Sequence, residues 1–442
     1  MDNKQRKYGK GDIKTMAEIK AFKGLRFTEK AGKIEELTCP PYDIISEKER
    51  QEYLKINENN LIRLELPKDG EDPYKEAGKI LESQINNNIL KKDDKEGIYI
   101  YEEEFTANGK KQKIKGIVTL IKIEEFSKNV VLPHEETLSK AKTDRLNLIK
   151  ATHTNFSQIY SLYMDEKNTV YNKIDECSKS APIYDFDDGH EVVHRMWKIE
   201  DEDTINYIVK EFKDKKLYIA DGHHRYETSI NFRNYCRENN LNLGNNHNED
   251  YVMMMLVNME NDGLVVFPTH RIVKNLKDFN AEQVLLKCSQ YFDIEKYNSV
   301  DDMQELLNKK YDENKKAFAF YIKNNNWALL TLKSTDILKE MLPGLSDATI
   351  GLDVTVLHTL VLERLFGIDK ANMANGVNLT YTKFAEEAMS EVDEDKAQCA
   401  FILNPTRVTE IRDVAAAGEK MPQKSTYFYP KVITGMVMNN LD

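Results

Sequence analysis

The sequence predicts a mixed α/β fold with α+β parts. Short apolar runs alternate with stretches of helical periodicity along most of the chain, which is typical of sheets covered by helices. Several of these runs end in polar or basic side chains, and converging strand ends form the ligand crevice of an open α/β sheet. The clearest run, at 217–220, leads through Gly222 into a helical pattern.

The chain is organised around a central turn, which we define as Asp221-Gly222-His223-His224-Arg225. Leu217–Ala220 predicts a buried strand, and apolar residues recur at helical spacing from Tyr226 until 237–240. The turn therefore lies where main-chain N–H groups and the positive end of a helix dipole converge, a place that binds anions such as phosphate. The alternative is that Asp221 caps the helix and the two histidines are surface residues.

The elements before the turn are predicted from their periodicity. Alternation over Asn60–Leu66 predicts a strand, and 72–90 predicts a helix. Gly97–Phe105 and Lys113–Ile123 form a predicted antiparallel pair around the turn dipeptide Asn108-Gly109. The N-terminus has no apolar core for a signal peptide.

A second polar constellation follows a Val-Val-Leu strand. It begins with His134 and Glu135 and continues with Lys142, Asp144 and Arg145, the last two opening a helix to residue 151. A histidine and a carboxylate at a strand end are a common arrangement for acid/base chemistry. The alternative is a solvated loop with a helix-capping glutamate.

The segment His190-Glu191-Val192-Val193-His194 matches the zinc-protease pattern His-Glu-x-x-His, which requires both histidines on one helix face. Its β-branched pair follows a turn and predicts a strand instead. Residues four apart on a strand are separated by about 13 Å and cannot share one ion.

The chain after the central turn predicts further strands and a smaller unit. Tyr251–Val257 is predicted to be a buried strand with core methionines, and 264–271 a strand ending in Arg271. Helices at 283–292 and 300–313, with two strands around 324–326, predict a small α+β subdomain. We predict a core domain over 1–275, this subdomain over 276–345, and a C-terminal unit over 346–442 that completes the site.

The C-terminal segment, which we define as Met421–Lys431, is the third polar constellation. Lys424, Ser425 and Thr426 place an ammonium and two hydroxyls beside an aromatic cluster, a composition that suits binding of a phosphate or carboxylate. A tail that docks its aromatic residues onto the core is the alternative.

Composition limits the function classes. The net charge of −11 argues against general affinity for nucleic acid. Five dispersed cysteines indicate reduced thiols and a cytoplasmic protein, and no run is long enough to span a bilayer. The composition leaves room for a homodimer.

The three constellations closely resemble the family catalogued as domain of unknown function 1015. The central turn is also similar, more distantly, to the phosphate-binding turn of the ParB/sulfiredoxin-like superfamily, which includes kinases that phosphorylate free L-serine. This resemblance implies a ParB/sulfiredoxin-like core sheet and a kinase that uses ATP or ADP with Mg²⁺ on a small hydroxylated metabolite, free L-serine above others. It implies catalytic roles for Glu135 (the base), His134 and Asp221. The implied nucleotide-binding residues are Gly222, His223, His224, Arg225, Arg271, Lys424, Ser425 and Thr426, and the implied metal ligands are Asp221 and Asp144.

Other functions compete with this hypothesis. A nucleotide-binding, ParB-like regulator would share the turn but would need a DNA-binding segment. A metal-dependent hydrolase would use histidines as ligands, although adjacent histidines seldom chelate one ion. A sulfiredoxin-like activity would need a reactive cysteine, and Cys236 lies about three helical turns away.

Overall fold

The computed structural model describes residues 16–137, 139–298 and 303–442. These residues form a mixed α/β fold built on two large sheets, which confirms the predicted class. The strands, in chain order, are β1 Ile19–Lys20, β2 Leu25–Phe27, β3 Leu90–Lys92, β4 Ile98–Ala107, β5 Lys110–Lys122, β6 Val131–Leu132, β7 Thr154–Asn155, β8 Ile159–Tyr163, β9 Tyr184–Asp187, β10 Val192–Ile199, β11 Leu217–Asp221, β12 Tyr251–Asn258, β13 Val265–Phe267, β14 His270–Val273, β15 Phe292–Tyr297, β16 Ala317–Tyr321, β17 Trp327–Leu332, β18 Leu379–Thr382, β19 Cys399–Ile402, β20 Tyr427–Tyr429 and β21 Asn439–Asn440.

Helices cover these sheets and connect their strands. The α-helices are α1 Ile34–Leu37, α2 Glu47–Ile56, α3 Ile62–Glu65, α4 Pro73–Asn86, α5 Ser139–Thr152, α6 Thr169–Cys177, α7 Glu202–Glu211, α8 His223–Glu238, α9 Ala281–Cys288, α10 Met303–Asp312, α11 Asp336–Met341, α12 Asp347–Ile350, α13 Asp353–Leu357, α14 Lys370–Asn375, α15 Ala385–Asp393 and α16 Val408–Ala416. A π-helical stretch, His358–Glu363, continues α13. No helix of the described residues combines the length and the apolar character that a membrane crossing requires.

The first sheet has the order β6-β11-β8-β12-β5-β4-β10-β9, with β1 paired to β5. It is mixed, because β11 runs parallel to β6 and β12 parallel to β8, whereas the other pairs are antiparallel. Helices α6, α7 and α8 bury apolar side chains against one face, where they form one cluster with Leu217 and Ile219 of β11. This packing fixes β11 and the start of α8.

The second sheet is antiparallel, with the order β15-β17-β16-β19-β14-β18. Its apolar residues share a core cluster with the opposite face of the first sheet, for example Phe318 and Phe401 with Tyr218 and Met253. Strands from both sides of the predicted boundaries at 275 and 345 enter this sheet, and the division of the chain into domains stays a prediction.

Several predicted elements are confirmed. The strand–turn–helix at β11 and α8, the hairpin of β4 and β5, the strand β12 and the hairpin of β16 and β17 are all present. The methionines of β12, Met253, Met254 and Met255, are fully buried core residues.

The strand predicted at Asn60–Leu66 is wrong, because the segment contains the short helix α3. Its residues Ile62, Leu64 and Glu65 are all buried, so the segment lacks the single buried face that an alternating strand would have. The predicted helix 72–90 ends at Asn86, since Leu90 already begins β3.

Two further predictions need correction at their limits. The helix predicted at 283–292 is α9, which ends at Cys288, and Phe292 begins β15. The strand predicted at 264–271 is two strands, β13 and β14, interrupted by Pro268-Thr269. Proline lacks the N–H that a continuous ladder needs. Residues 1–15, which belong to the N-terminus predicted to lack a signal peptide, lie outside the described residues. The first three residues of the helix predicted at 300–313 also lie outside them.

Candidate functional site

The central turn links β11 to α8 through a left-handed glycine. Gly222 has φ of 96° and ψ of 28°, a conformation that other residues rarely adopt. A Cβ atom at this position would lie 2.9 Å from Nε of Arg225. Glycine is therefore required both by the backbone and by the approach of the arginine. The turn delivers the N-terminus of a 16-residue helix to the end of a buried strand.

Asp221 is held between two cations. Its Oδ2 accepts a hydrogen bond of 2.7 Å from Nη2 of Arg225, and its Oδ1 accepts one from Nζ of Lys431. Burial alone would raise the pKa of Asp221, but Lys431 and Arg225 outweigh burial and hold that pKa below its usual value. Arg225 also donates from Nη1 to the main-chain oxygen of Gln158 at 2.5 Å.

Two buried imidazoles lie beside the turn. His134 contacts the main-chain oxygen of Ile219 through Nδ1 at 2.7 Å and the hydroxyl of Thr426 through Nε2 at 3.1 Å. Its ring meets that of His223 edge-on, with centroids 4.6 Å apart. Burial lowers the pKa of His134 to about 4, and burial together with His134 lowers the pKa of His223 well below its usual value. Both imidazoles are neutral at neutral pH.

Glu135 is tied to the C-terminal segment through the backbone. Its Oε1 accepts a hydrogen bond of 2.7 Å from the N–H of Lys424, and the N–H of Met421 donates to the oxygen of His134 at 2.7 Å. Burial raises the pKa of Glu135 even though the N–H and the ammoniums of Lys424 and Lys431 oppose it. The carboxylate therefore has a raised proton affinity, as a general base requires.

Arg271, in β14, reaches the same segment from the second sheet. Its guanidinium donates to the oxygen of Lys424 at 3.1 Å, to Nε2 of His358 at 3.3 Å and to the oxygen of Thr269. The side chain is 1% exposed, and burial lowers its pKa to about 10. His358 is thus a buried histidine with a hydrogen-bond partner.

The predicted residues of the C-terminal segment have different surroundings. Lys424 is exposed and has a φ of 57°, and both its N–H and its oxygen are used, by Glu135 and Arg271. The Ser425 hydroxyl donates to the oxygen of Pro422 at 2.5 Å, so it serves the local turn. Through these bonds the structure brings together Glu135, His134, Asp221, Gly222, His223, Arg225, Arg271, Lys424 and Thr426.

Asp144 belongs to another set of contacts. Its Oδ1 accepts from the hydroxyl of Tyr74 at 2.7 Å, and its Oδ2 accepts from Nε of Arg145 at 2.8 Å. Within 16–137, 139–298 and 303–442, no three His, Cys, Asp or Glu side chains are grouped to hold a metal ion. The carboxylates predicted as metal ligands, Asp221 and Asp144, are both engaged with cations instead.

The zinc-protease pattern lies on a strand, as predicted. His194 is in β10, fully buried, with Nδ1 2.8 Å from the hydroxyl of Tyr101 and Nε2 3.3 Å from a carboxylate oxygen of Asp188. His190 precedes β10. The helical geometry that a zinc hydrolase needs is not formed by this segment.

Sequence reasoning missed two charged residues of this region. Lys431 pairs with Asp221 from 210 positions away, and its place at the end of the C-terminal segment was the only signal. Glu227, in the first turns of α8, accepts from Nζ of Lys142 at 2.7 Å and from the hydroxyl of Thr137 at 2.8 Å. These bonds fasten the chain after Glu135 to the same helix.

Comparisons with known proteins agree with the sequence resemblance at the level of the family. The profile of the family described as "Protein of unknown function (DUF1015)" matches residues 19–355, so the chain belongs to that family. No curated protein matches the chain.

Several solved structures are similar in part. A free serine kinase mutant in complex with AMP is 10% identical, with 74% of this chain and 92% of that chain covered and a TM-score of 0.38. A conserved hypothetical protein from Pyrococcus furiosus is 11% identical, with coverages of 73% and 95% and a TM-score of 0.35. SbnI from Staphylococcus aureus, truncated at its C-terminus, is 10% identical, with coverages of 72% and 86% and a TM-score of 0.35. Such scores establish neither a shared fold nor a shared function.

Proposed function

We propose that this member of the DUF1015 family is a phosphotransferase that uses ATP or ADP to phosphorylate a small hydroxylated metabolite. Free L-serine is the first acceptor to test, because the central turn resembles that of kinases acting on it. The same resemblance supports a ParB/sulfiredoxin-like type for the first sheet. A cytoplasmic location and a homodimer remain predictions that accompany this proposal.

The observation that carries the proposal is the convergence of fixed positive charge on the N-terminus of α8. Arg225 and Lys431 flank the single carboxylate of Asp221, and Arg271 is bonded to the same C-terminal segment. The N–H groups of a first helical turn have no intrahelical acceptor. Phosphoryl transfer depends mainly on positioning and charge neutralisation, which such donors supply. The positive charge comes from these side chains and not from His134 or His223, which burial keeps neutral.

Glu135 is the proposed base. In the transfer step, the acceptor hydroxyl oxygen would bond to the terminal phosphorus while the bond from that phosphorus to the bridging oxygen breaks. The hydroxyl proton would pass to the Glu135 carboxylate, and the shortened nucleotide would leave. A carboxylate whose pKa is raised by burial accepts a proton more readily than an exposed one.

A magnesium ion does not fit a preformed site among the described residues, because the oxygens of Asp221 and Asp144 are already engaged. Mg²⁺ commonly binds through substrate phosphates and one or two carboxylates. We therefore propose that it enters with the nucleotide, and the steps assigned to protein groups do not depend on it.

The test combines phosphorus NMR with calorimetry on the wild type and Glu135→Gln. The wild type should bind Mg-ATP or Mg-ADP and phosphorylate L-serine or another hydroxylated metabolite of a panel. Glu135→Gln preserves the acceptor oxygen for the N–H of Lys424 but cannot take a proton. Turnover should fall by about 10²–10⁴-fold with nucleotide affinity unchanged.

Glu249→Gln is a matched control, because Glu249 is a buried glutamate that likewise accepts a main-chain N–H, that of Leu243 at 3.0 Å. It should retain wild-type turnover. Retained turnover in Glu135→Gln would remove Glu135 as the base. Absence of nucleotide binding in the wild type would refute the phosphotransferase proposal as a whole.

A further inference from the structure

A cavity of about 300 Å³ lies between the π-helical stretch and the C-terminal segment, and its lining includes Glu136, the residue after Glu135. Small-molecule pockets usually range from about 300 to 1,000 Å³, so this volume is at their lower limit. It suits a small metabolite rather than a nucleotide.

The cavity shares its walls with the candidate site. Glu136 and Thr137, which directly follow Glu135, line one side, and Pro422 and Gln423 of the C-terminal segment line another. His358, which accepts a hydrogen bond from Arg271, lines a third. A molecule held here would therefore lie against both chain segments that position Glu135.

One wall carries a buried hydroxyl without a protein partner. Thr355 is 4% exposed, lines the cavity from α13, and its Oγ1 makes no hydrogen bond to the described residues. Buried hydroxyls are nearly always paired, and an unpaired one destabilises a fold. A ligand in the cavity would supply the missing partner. The π-helical stretch His358–Glu363 begins three residues later, and such irregular turns are frequent at functional sites.

The rim of the cavity carries charges of both signs. Glu136 and Lys370 form an exposed ion pair of 2.8 Å, and Glu363 and Lys420 also line the cavity. Exposed ion pairs contribute little to stability, so these groups can exchange their mutual contact for contacts to a ligand. The remaining wall is apolar and includes Leu342, Leu345 and Met373.

We propose that this cavity binds the phosphoryl acceptor and that the acceptor is a small zwitterionic amino acid bearing a hydroxyl. The rim carboxylates and ammoniums would pair with the ammonium and carboxylate groups of the amino acid. The hydroxyl of Thr355 would form a hydrogen bond with the polar group of the amino acid that lies inside the cavity. This inference rests on the proposed function for the acceptor role and for the hydroxyl group of the amino acid. Binding in the cavity itself does not require phosphoryl transfer.

The test is calorimetric titration of the full chain, without nucleotide, with L-serine, L-threonine and L-homoserine in turn. At least one should bind the wild type, and Thr355→Val should weaken that binding by about tenfold or more. Valine has the shape of threonine and removes an unpaired hydroxyl, so Thr355→Val should be at least as thermostable as the wild type. Its affinity for ADP should be unchanged.

Thr331→Val is the matched control, because Thr331 in β17 also has a buried, unpartnered hydroxyl but does not line the cavity. It should leave amino-acid binding unchanged. Leu345→Trp, at a 38% exposed position of the apolar wall, should fill the cavity and abolish binding if Thr355→Val does not fold.

Failure of all three amino acids to bind the wild type, or equal binding by wild type, Thr355→Val and Leu345→Trp, would overturn the cavity assignment. Binding that follows the expected pattern, in a protein that transfers no phosphoryl group, would instead refute the proposed function and leave the cavity assignment standing.

Discussion

Two buried arginines lie in contrasting electrostatic surroundings. Arg145 is 6% exposed, and it donates to the main-chain oxygen of Glu65 at 2.7 Å and to the carboxylate of Asp144 at 2.8 Å. The buried carboxylate of Glu65 is a further 3.8 Å partner. Arg271 is 1% exposed, and its guanidinium donates to two main-chain oxygens and to the neutral imidazole of His358. Among the residues that the structure describes, no carboxylate lies within 4 Å of its guanidinium.

The two surroundings suit different roles: a guanidinium paired with carboxylates stabilises the fold, and one without a nearby carboxylate is suited to an anionic ligand. Burial by itself would lower the pKa of either arginine. At Arg145 the carboxylates of Glu65 and Asp144 outweigh burial, and the pKa is raised. At Arg271 burial prevails over the opposing effects of Tyr381 and Glu135 and lowers the pKa to about 10. Burying a cation without an anion is costly, and an anionic ligand would reduce that cost. We therefore propose a binding role for Arg271, whereas the contacts of Arg145 fit a structural one.

The largest expected effect is on stability, from Arg145→Met. Removing one member of a buried ion pair leaves the other charge uncompensated, here that of Glu65. We expect the free energy of unfolding to fall by about 3–5 kcal/mol, measured by denaturant titration. A decrease of less than about 1 kcal/mol would contradict the structural role, since that is the size expected for an exposed pair.

The next effect is on binding, from Arg271→Met. Its removal should raise the Kd for Mg-ADP by about tenfold to a hundredfold, the loss of one charge-assisted contact, measured by calorimetry. The free energy of unfolding should fall by no more than about 1–3 kcal/mol, the cost of acceptors that lose a donor, because no buried carboxylate loses its partner. Arg271→Lys, which retains the charge but not the planar donors, should give an intermediate Kd.

One result would show that the two arginines do not differ in role. If Arg271→Met destabilised the fold as much as Arg145→Met and left the Kd unchanged, both arginines would be structural. Arg271 of the second sheet would then not count among the positive charges proposed to bind a ligand near the N-terminus of α8.

The contrast also explains which parts could be predicted from sequence. The strand and helix around Gly222 were predictable because an apolar run, a glycine and a helical repeat are local signals. Asn60–Leu66 was not, because Glu65 is buried through its contacts with Arg145 and Ser157, which lie 80 and 92 positions away. Local alternation carries no information about such partners.

The candidate site also has parts that could be predicted from the sequence and parts that could not. The central turn and the C-terminal segment were recognisable as polar constellations, and the structure places them in contact through Lys431 and Asp221. Their pairing depends on the path of the intervening chain, which brings the C-terminal segment back to β11. The neutral state of His134 likewise follows from burial in the folded protein, which lowers its pKa to about 4, and the residue type alone does not show that burial.

The smallest expected effect is a change in the pH dependence of stability in Arg145→Met. Burial raises the pKa of Glu65 in the wild type although Arg145 opposes it, so the loss of Arg145 should raise that pKa further. The folded state then binds a proton that the unfolded state releases, and stability falls as pH rises through the folded pKa. Lowering the pH from about 8 should therefore restore part of the stability of Arg145→Met relative to wild type, up to about 1.4 kcal/mol for each unit by which the pKa of Glu65 rises further.

Arg271→Met should show no such recovery, because no carboxylate lies within 4 Å of that guanidinium among the described residues. The double variant Arg145→Met with Glu65→Gln removes both charges, so its stability relative to wild type should not recover with acid and should exceed that of Arg145→Met at pH about 8. Recovery that persisted in the double variant would mean that another group takes up the proton. Arg145 would then not be the partner that keeps Glu65 charged, and the contrast between the two arginines would rest on geometry alone.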